Sequence, residues 1–178
     1  MIFVTVGSQL PFPRLVLAVE AWATAAGRSD VLFQVGETDE APEGFRSVRG
    51  LDPGEFEVEI ARASVIVGHA GTGTLMAALS ASKPVVMLAR REGLGETRND
   101  HQVTTVERFG GRSGVHATTE ADEVGGLIEA ALSAGAPGED SAVGQHASGP
   151  LVDRLRSFLQ ESMGPEARRS GGRAARGS

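Results

Sequence analysis

Residues 63–88, ASVIVGHAGTGTLMAALSASKPVVML, restrict the chain to a small set of folds. Ala63 to Val67 is a short apolar run rich in β-branched residues, the pattern of a strand buried on both faces. Gly68-His69-Ala70-Gly71-Thr72-Gly73-Thr74 breaks that run. Leu75, Met76, Leu79 and the intervening alanines then recur at helical spacing. Pro84 stops this helix and opens a second apolar run, Val85 to Leu88. A strand, a glycine turn, a short helix and a second strand point the first N–H groups of the helix into a crevice, where they suit a phosphate.

The rest of the chain repeats this alternation. Ile2 to Val6 reads as a strand ended by Gly7-Ser8-Gln9, and Phe12, Leu15, Val16, Val19, Trp22, Ala23 and Ala26 form one helix face closed by Gly27. This places Trp22 in the core. Val31–Val35 and Phe45–Val48 read as strands. Asp52-Pro53-Gly54-Glu55 is a helix start with an N-cap, proline at the first position and a capping-box glutamate. A polar loop from Ala89 to Arg98 follows the central unit, and Asn99-Asp100-His101-Gln102 opens a helix that Gly110-Gly111 ends. Val115–Ala117 is a strand, and Thr119 is expected to cap the next helix with Asp122 in the capping-box position. The expected fold is α/β, a Rossmann-like open parallel sheet with helices on both faces. The expected organisation is a single domain over 1–132, a flexible linker over 133–149, a C-terminal helix over 150–163 and a basic disordered tail over 164–178.

Composition removes several function classes. There is no cysteine among the 178 residues, so no disulfide framework, thiolate metal site or cysteine nucleophile is available. No run approaches the ~20 apolar residues of a membrane helix, and the N-terminus lacks the features of a signal peptide; a cytoplasmic protein is expected. Residues 164–178 carry a local charge of +3, which leaves −9 on residues 1–163 against a chain total of −6. So acidic a body argues against a nucleic-acid-binding surface.

The motifs narrow the chemistry further. The single lysine, Lys83, precedes Pro84 and makes no Walker loop. Gly71-x-Gly73 is followed by Met76, too bulky for the close helix–strand contact of a dinucleotide fingerprint. His69, His101, His116 and His146 have no metal-ligand spacing, and no G-x-S-x-G elbow is present. What remains is glycine-rich turns at the carboxyl ends of several strands: Gly7-Ser8-Gln9, Gly68–Thr74 and the Arg90–Gln102 loop. In an open parallel sheet these gather on one edge. They offer hydroxyls, arginines, backbone donors and a carboxamide, which suit an anionic, polyhydroxylated ligand. Arg90 and Arg91 read as an exposed pair.

His69-Ala70-Gly71-Thr72-Gly73-Thr74 and Asn99-Asp100-His101-Gln102 resemble the two signatures of the GT-B C-terminal domain of glycosyltransferase family 28. The opening Met1-Ile2-Phe3-Val4-Thr5-Val6-Gly7-Ser8-Gln9 is similar to that of its half-size members, the catalytic subunits of two-chain transferases acting in dolichol-linked GlcNAc or bacterial exopolysaccharide synthesis. The resemblance covers residues 1–132. It implies a UDP-sugar-binding subunit of an inverting, metal-independent transferase that needs no cofactor. A membrane-associated partner would supply the acceptor domain, attaching the chain to the inner face of the membrane; a homo-oligomer is the other assembly considered. Gly71, Thr72, Gly73, Thr74 and Ser8 would hold the donor diphosphate. Asn99, Asp100, His101 and Gln102 would contact the donor sugar, and Arg91 or Arg98 would neutralise charge. Two positions depart from the family pattern. Ala77 stands where relatives carry a ribose-binding Glu or Asp. Ser8-Gln9 stand where exopolysaccharide-type relatives often have His and an acidic residue, so the general base is unassigned, with His69 and His101 as candidates. The alternative is a non-catalytic nucleotide-sugar sensor or scaffold subunit, which would bind UDP without transfer under any pairing.

Overall fold

A computed structural model describes residues 1–7, 10–39 and 41–136. Six strands, β1 (Ile2–Thr5), β2 (Val31–Gln34), β3 (Arg46–Val48), β4 (Val65–His69), β5 (Val85–Leu88) and β6 (Val115–Thr118), form one sheet in the order β3-β2-β1-β4-β5-β6. Every neighbouring pair is parallel. Parallel neighbours need long crossovers; these run through α1 (Pro13–Ala25), α2 (Pro53–Arg62), α3 (Thr72–Ser80) and α4 (His101–Phe109), with α5 (Val124–Ala134) after β6, while β2 passes to β3 with no helix among the described residues. The strand order reverses between β1 and β4, which opens a crevice beyond their carboxyl ends. This is the Rossmann-like α/β sheet expected from the sequence.

Each apolar strand feeds two cores, which is why its hydrophobic run is continuous. Ile2, Val4, Val65 and Val67 pack with Leu15, Val16, Val19 and Ile128 beneath α1 and α5. Phe3, Ile66, Val85 and Met87 pack with Ile60, Leu75, Leu79 and Phe109 beneath α2, α3 and α4. The capping box of α2 is formed: Asp52 Oδ1 accepts the Glu55 N–H (2.8 Å), and Glu55 Oε2 accepts the Asp52 N–H (2.9 Å).

Three local expectations are corrected. Ala63 does not start β4 but closes α2, its N–H donating to the Glu59 carbonyl at 3.0 Å. Thr119 does not cap the last helix. Glu123 is the N-cap of α5, with no side-chain cap; a 3₁₀ turn (Ala121–Glu123) leads into the helix, and the Thr118 hydroxyl before it accepts the Glu120 N–H at 2.9 Å and donates to the Glu123 carboxylate. Trp22 is half-buried, packed against the α1/α5 core with its indole N–H donating to Glu129 (3.0 Å). α5 ends at Ala134. Most of the expected linker, the C-terminal helix over 150–163 and the basic tail lie outside the described residues.

Two adjacent glycines in α5 face different surroundings. A Cβ at Gly125 would lie 2.8 Å from Trp22 Cδ1, whereas one at Gly126 would meet nothing within 4 Å. Gly126→Ala is expected to stabilise the fold by up to about 1 kcal/mol through helix propensity. Gly125→Ala should destabilise it by about 1–2 kcal/mol, because the overpacking against Trp22 outweighs the same gain. Urea midpoints of the two variants check this; equal shifts would mean that α1 and α5 do not approach through Gly125.

Candidate functional site

The carboxyl ends of the strands open on a cleft of about 1190 Å³. Its floor is Thr5, Val6 and Gly7 from β1 and its following turn, together with His69 and Ala70 from the end of β4. One wall is the start of α3, Gly71 to Thr74. The opposite wall is Arg90 with Thr97, Arg98, Asn99, His101 and Gln102, from the β5–α4 connection and the first turn of α4. The three turns singled out in the sequence therefore meet.

Gly71 is the N-cap of α3 and no side chain caps the helix. The Thr72, Gly73 and Thr74 N–H groups have no partner among the described residues, and the first N–H turned inward is that of Leu75, to the Gly71 carbonyl (3.2 Å). Neither threonine acts as the cap. Three unused donors at the positive end of a helix dipole form an anion site. Gly73 leaves this site open, since a Cβ there would meet nothing within 4 Å among the described residues outside its own helix. Thr74 is buried, its methyl lying 2.8 Å from where a Cβ at Gly68 would stand.

The His69 ring is wedged between two glycine turns. A Cβ at Gly7 would sit 2.7 Å from its Cε1, and one at Gly71 would overlap its Nε2. Gly7 also has φ +82°, so backbone and ring both require glycine there. Nδ1 is buried without a hydrogen-bond partner among the described residues. Burial, and after it the nearby positive charge of Arg90, push the imidazole down to a pKa of about 4. A ring so reluctant to take a proton is a poor general base at neutral pH. His101 is exposed at the first position of α4, on the cleft wall.

Arg90, expected as half of an exposed pair, is 3% exposed. Its Nη1 donates to the carbonyls of Pro11 (2.6 Å) and Glu96 (3.4 Å), and its Nη2 to those of Val6 (2.9 Å) and Leu10 (2.7 Å). The guanidinium also lies over the Phe12 ring at 4.4 Å. Two side chains brace the neighbouring backbone. Gln102 Oε1 accepts the Arg90 N–H (3.1 Å), which leaves its amide NH₂ as the group free to meet a ligand. Gln34 Nε2 donates to the carbonyls of Gly7 (3.2 Å) and Arg49 (2.9 Å).

Two expected site residues are elsewhere. Arg91 faces away from the cleft and pairs with Glu120 at 3.1 Å, because its N–H is held by Glu96 and the chain turns outward there. Asp100 Oδ1 accepts the Glu92 N–H (2.8 Å) and closes the loop instead of lining the cleft. Ser8, with Gln9, lies outside the described residues. Sequence reasoning missed the wall formed by Gln34, Glu37, Arg49, Gly50, Leu51 and Phe56. One available signal was Gln34, a buried polar residue ending an otherwise apolar strand. The cleft carries three arginines, Arg49, Arg90 and Arg98, against one carboxylate, Glu37. In a chain of net charge −6 this is a local reversal of sign.

The model of the glycosyltransferase family 28 C-terminal domain matches residues 1–133. UDP-N-acetylglucosamine transferase subunit ALG13 of Yarrowia lipolytica is 28% identical over 138 residues, covering 70% of this chain and 68% of that protein. An NMR solution structure of ALG13 aligns with a TM-score of 0.57 at 17% identity, over 86% of this chain and 93% of that one. MurG of Acinetobacter baumannii aligns with a TM-score of 0.59 at 13% identity, over 89% of this chain and 49% of that one. At these identities the structural likenesses concern the fold. The chain spans about half of MurG and less than half of three further glycosyltransferases that it matches in fold.

The buried imidazole makes stability depend on pH. Above pH 6.5 His69 is neutral in both the folded and the unfolded chain. Below that ordinary value the unfolded chain takes up a proton that the folded one refuses until about pH 4. Folding stability therefore falls as pH drops from about 6.5 to about 4, by about 3 kcal/mol from this group. His69→Asn should remove that part of the slope in urea unfolding series. An unchanged pH slope would mean that the ring titrates freely in the folded protein.

Proposed function

Because the chain belongs to the glycosyltransferase family 28 C-terminal domain family, we propose that it is the UDP-sugar-binding catalytic subunit of an inverting glycosyltransferase. The observation that carries this reading is the uncapped start of α3, three N–H donors facing a cleft that also holds three arginines. A nucleoside diphosphate matches that arrangement in charge and in acceptor geometry. The diphosphate sits on Thr72, Gly73 and Thr74. The donor sugar meets the α4 side, where Asn99, His101 and the Gln102 amide line the cleft. Ala77, half-buried in α3, brings no carboxylate to the ribose.

In this reading an acceptor hydroxyl attacks the anomeric carbon from the face opposite the diphosphate. The new C–O bond forms as the bond to the diphosphate oxygen breaks, and the electron pair leaves with UDP. The hydroxyl proton passes to a base, for which His101 is the candidate in this chain. The helix N–H groups and Arg98 meet the charge that develops on the leaving group, a preorganised stabilisation that works without a metal. The acceptor, a lipid-linked or polysaccharide hydroxyl, is brought by a partner chain that supplies the second domain. The ALG13 relative is itself described as a transferase subunit, and the chain spans about half of the MurG chain. A membrane-bound partner would hold the chain at the inner membrane face.

Calorimetric titration with UDP, UDP-glucose, UDP-GlcNAc and UDP-glucuronate, with GDP and NAD as controls, tests the reading. Selective uridine binding is expected. Gly73→Val, whose Cβ meets nothing within 4 Å among the described residues outside its own helix, should fold and lose about tenfold or more in UDP affinity by obstructing the N–H donors. Unchanged affinity in folded protein would remove the diphosphate from α3, and UDP binding without transfer under any pairing would favour a sensor or scaffold subunit.

A further inference from the structure

The structure assigns to Arg90 a second role beyond bracing: its guanidinium is the fixed counter-charge of the cleft, and the anionic ligand is its missing counter-ion. This deepens the reading of the site as a nucleoside-diphosphate cleft and rests on it.

A buried charge is costly unless it is paired and hydrogen-bonded. Arg90 has four carbonyl partners, yet no carboxylate pairs with it among the described residues. Glu96, the nearest acid by its electrostatic effect, is already engaged. Both its oxygens accept from Arg14, at 2.7 Å each, and one also accepts the Arg91 N–H (2.9 Å). Arg14, Arg90 and Glu96 thus carry one net positive charge at the end of the cleft wall. Arg14 spends its fork on Glu96 and on the carbonyls of Thr119 and Ala89, and it does not line the cleft. Arg90 does, and its Nε–H is the guanidinium donor left without a partner among the described residues.

That charge shares the cleft with the anion site, since Arg90 and Gly71 to Thr74 both line it. It contributes to the lowered pKa of His69, and the His69 ring lies against Gly71, the residue that opens α3. The two positive ends, guanidinium and helix, therefore bear on the same volume. Arg98 and Arg49 are exposed, so water screens them and their side chains must be ordered on binding. Arg90 is ordered beforehand by its carbonyls and by Phe12, and it loses no freedom when the anion arrives. The same contacts join Val6, Leu10 and Pro11 to Glu96, so one side chain sets both the charge and the separation of the turns that flank the ligand.

Charge and bracing separate by experiment. Arg90→Lys keeps a cation but cannot reach four carbonyls, whereas Arg90→Met removes both; Arg98→Met is the comparator for an exposed arginine. Binding of inorganic pyrophosphate and of UDP to the full chain is measured by calorimetry, with folding checked by circular dichroism and thermal melting. Arg90→Met is expected to weaken both ligands by about tenfold or more, Arg90→Lys by clearly less, and Arg98→Met by less than Arg90→Met. If Arg90→Met does not fold, Arg90→Gln, which keeps amide donors but no charge, takes its place: a loss no larger than that of Arg98→Met overturns the assignment. So does pyrophosphate affinity that survives in folded Arg90→Met, an equal loss in the lysine and methionine variants, or a wild-type chain that binds neither ligand. Failure of the functional reading looks different: pyrophosphate binding would depend on Arg90 while UDP bound no better than GDP.

Discussion

The Arg90 guanidinium joins two loops that the sheet itself leaves apart. At the carboxyl edge of a parallel sheet the strands end, and the carbonyls of the turns beyond have no ladder partner. Buried carbonyls nonetheless need donors. Arg90 supplies them to Val6, Leu10 and Pro11 on one side and to Glu96 on the other. Gln34 does the same for Gly7 and Arg49. The cleft is therefore bounded by loops whose backbone positions are set by side chains from the strand ends. A second brace backs the first, since Arg14 ties α1 to Glu96, Ala89 and Thr119. Phe12, fully buried, lies beneath both guanidiniums.

Glycine is used for three separate reasons within this site. Gly7 and Gly71 make room for the His69 ring, Gly68 makes room for the Thr74 methyl, and Gly73 faces open space among the described residues. The first three are explained by packing inside the domain. Gly73 is not, because alanine would fit there and would favour the helix. In the proposed reading the space beside Gly73 is the ligand's. The same reasoning separates Gly125, which Trp22 requires, from Gly126, which nothing nearby requires.

Much of the fold was legible because its punctuation is strong. Strand runs bounded by glycine or proline, and the Asp52-Pro53-x-Glu55 start, specify local structure through contacts only a few residues long, and these appear nearly where expected. The glycine turn after β4 and the start of α4 were legible for the same reason. What escaped depends on contacts between distant segments. Nothing local distinguishes Arg90 from Arg91, yet one is buried under carbonyls about 80 residues away in sequence and the other is paired with Glu120 at the surface. Asp100 belongs to a motif that reads as ligand-facing, but its carboxylate satisfies the Glu92 amide. The Gln34–Arg49–Phe56 wall has no motif at all; it lines the cleft because β3 and β2 lie at the edge beside β1.

The charge distribution follows from this geometry. Arg14 and Arg90 stand where the strand ends need donors, because the arginine fork can satisfy several carbonyls while keeping its charge. In a chain of net charge −6, the arginine-lined crevice favours the approach of a polyanion. Structural need and ligand attraction thus draw on the same residue type. In the proposed reading this also divides the labour of recognition. The wall that this chain contributes fixes the donor by charge and backbone donors, while selection of the acceptor falls to whatever closes the open side. Changing the acceptor would then require no change in the Arg90 brace, the α3 start or the His69 wedge, since all three face the donor alone.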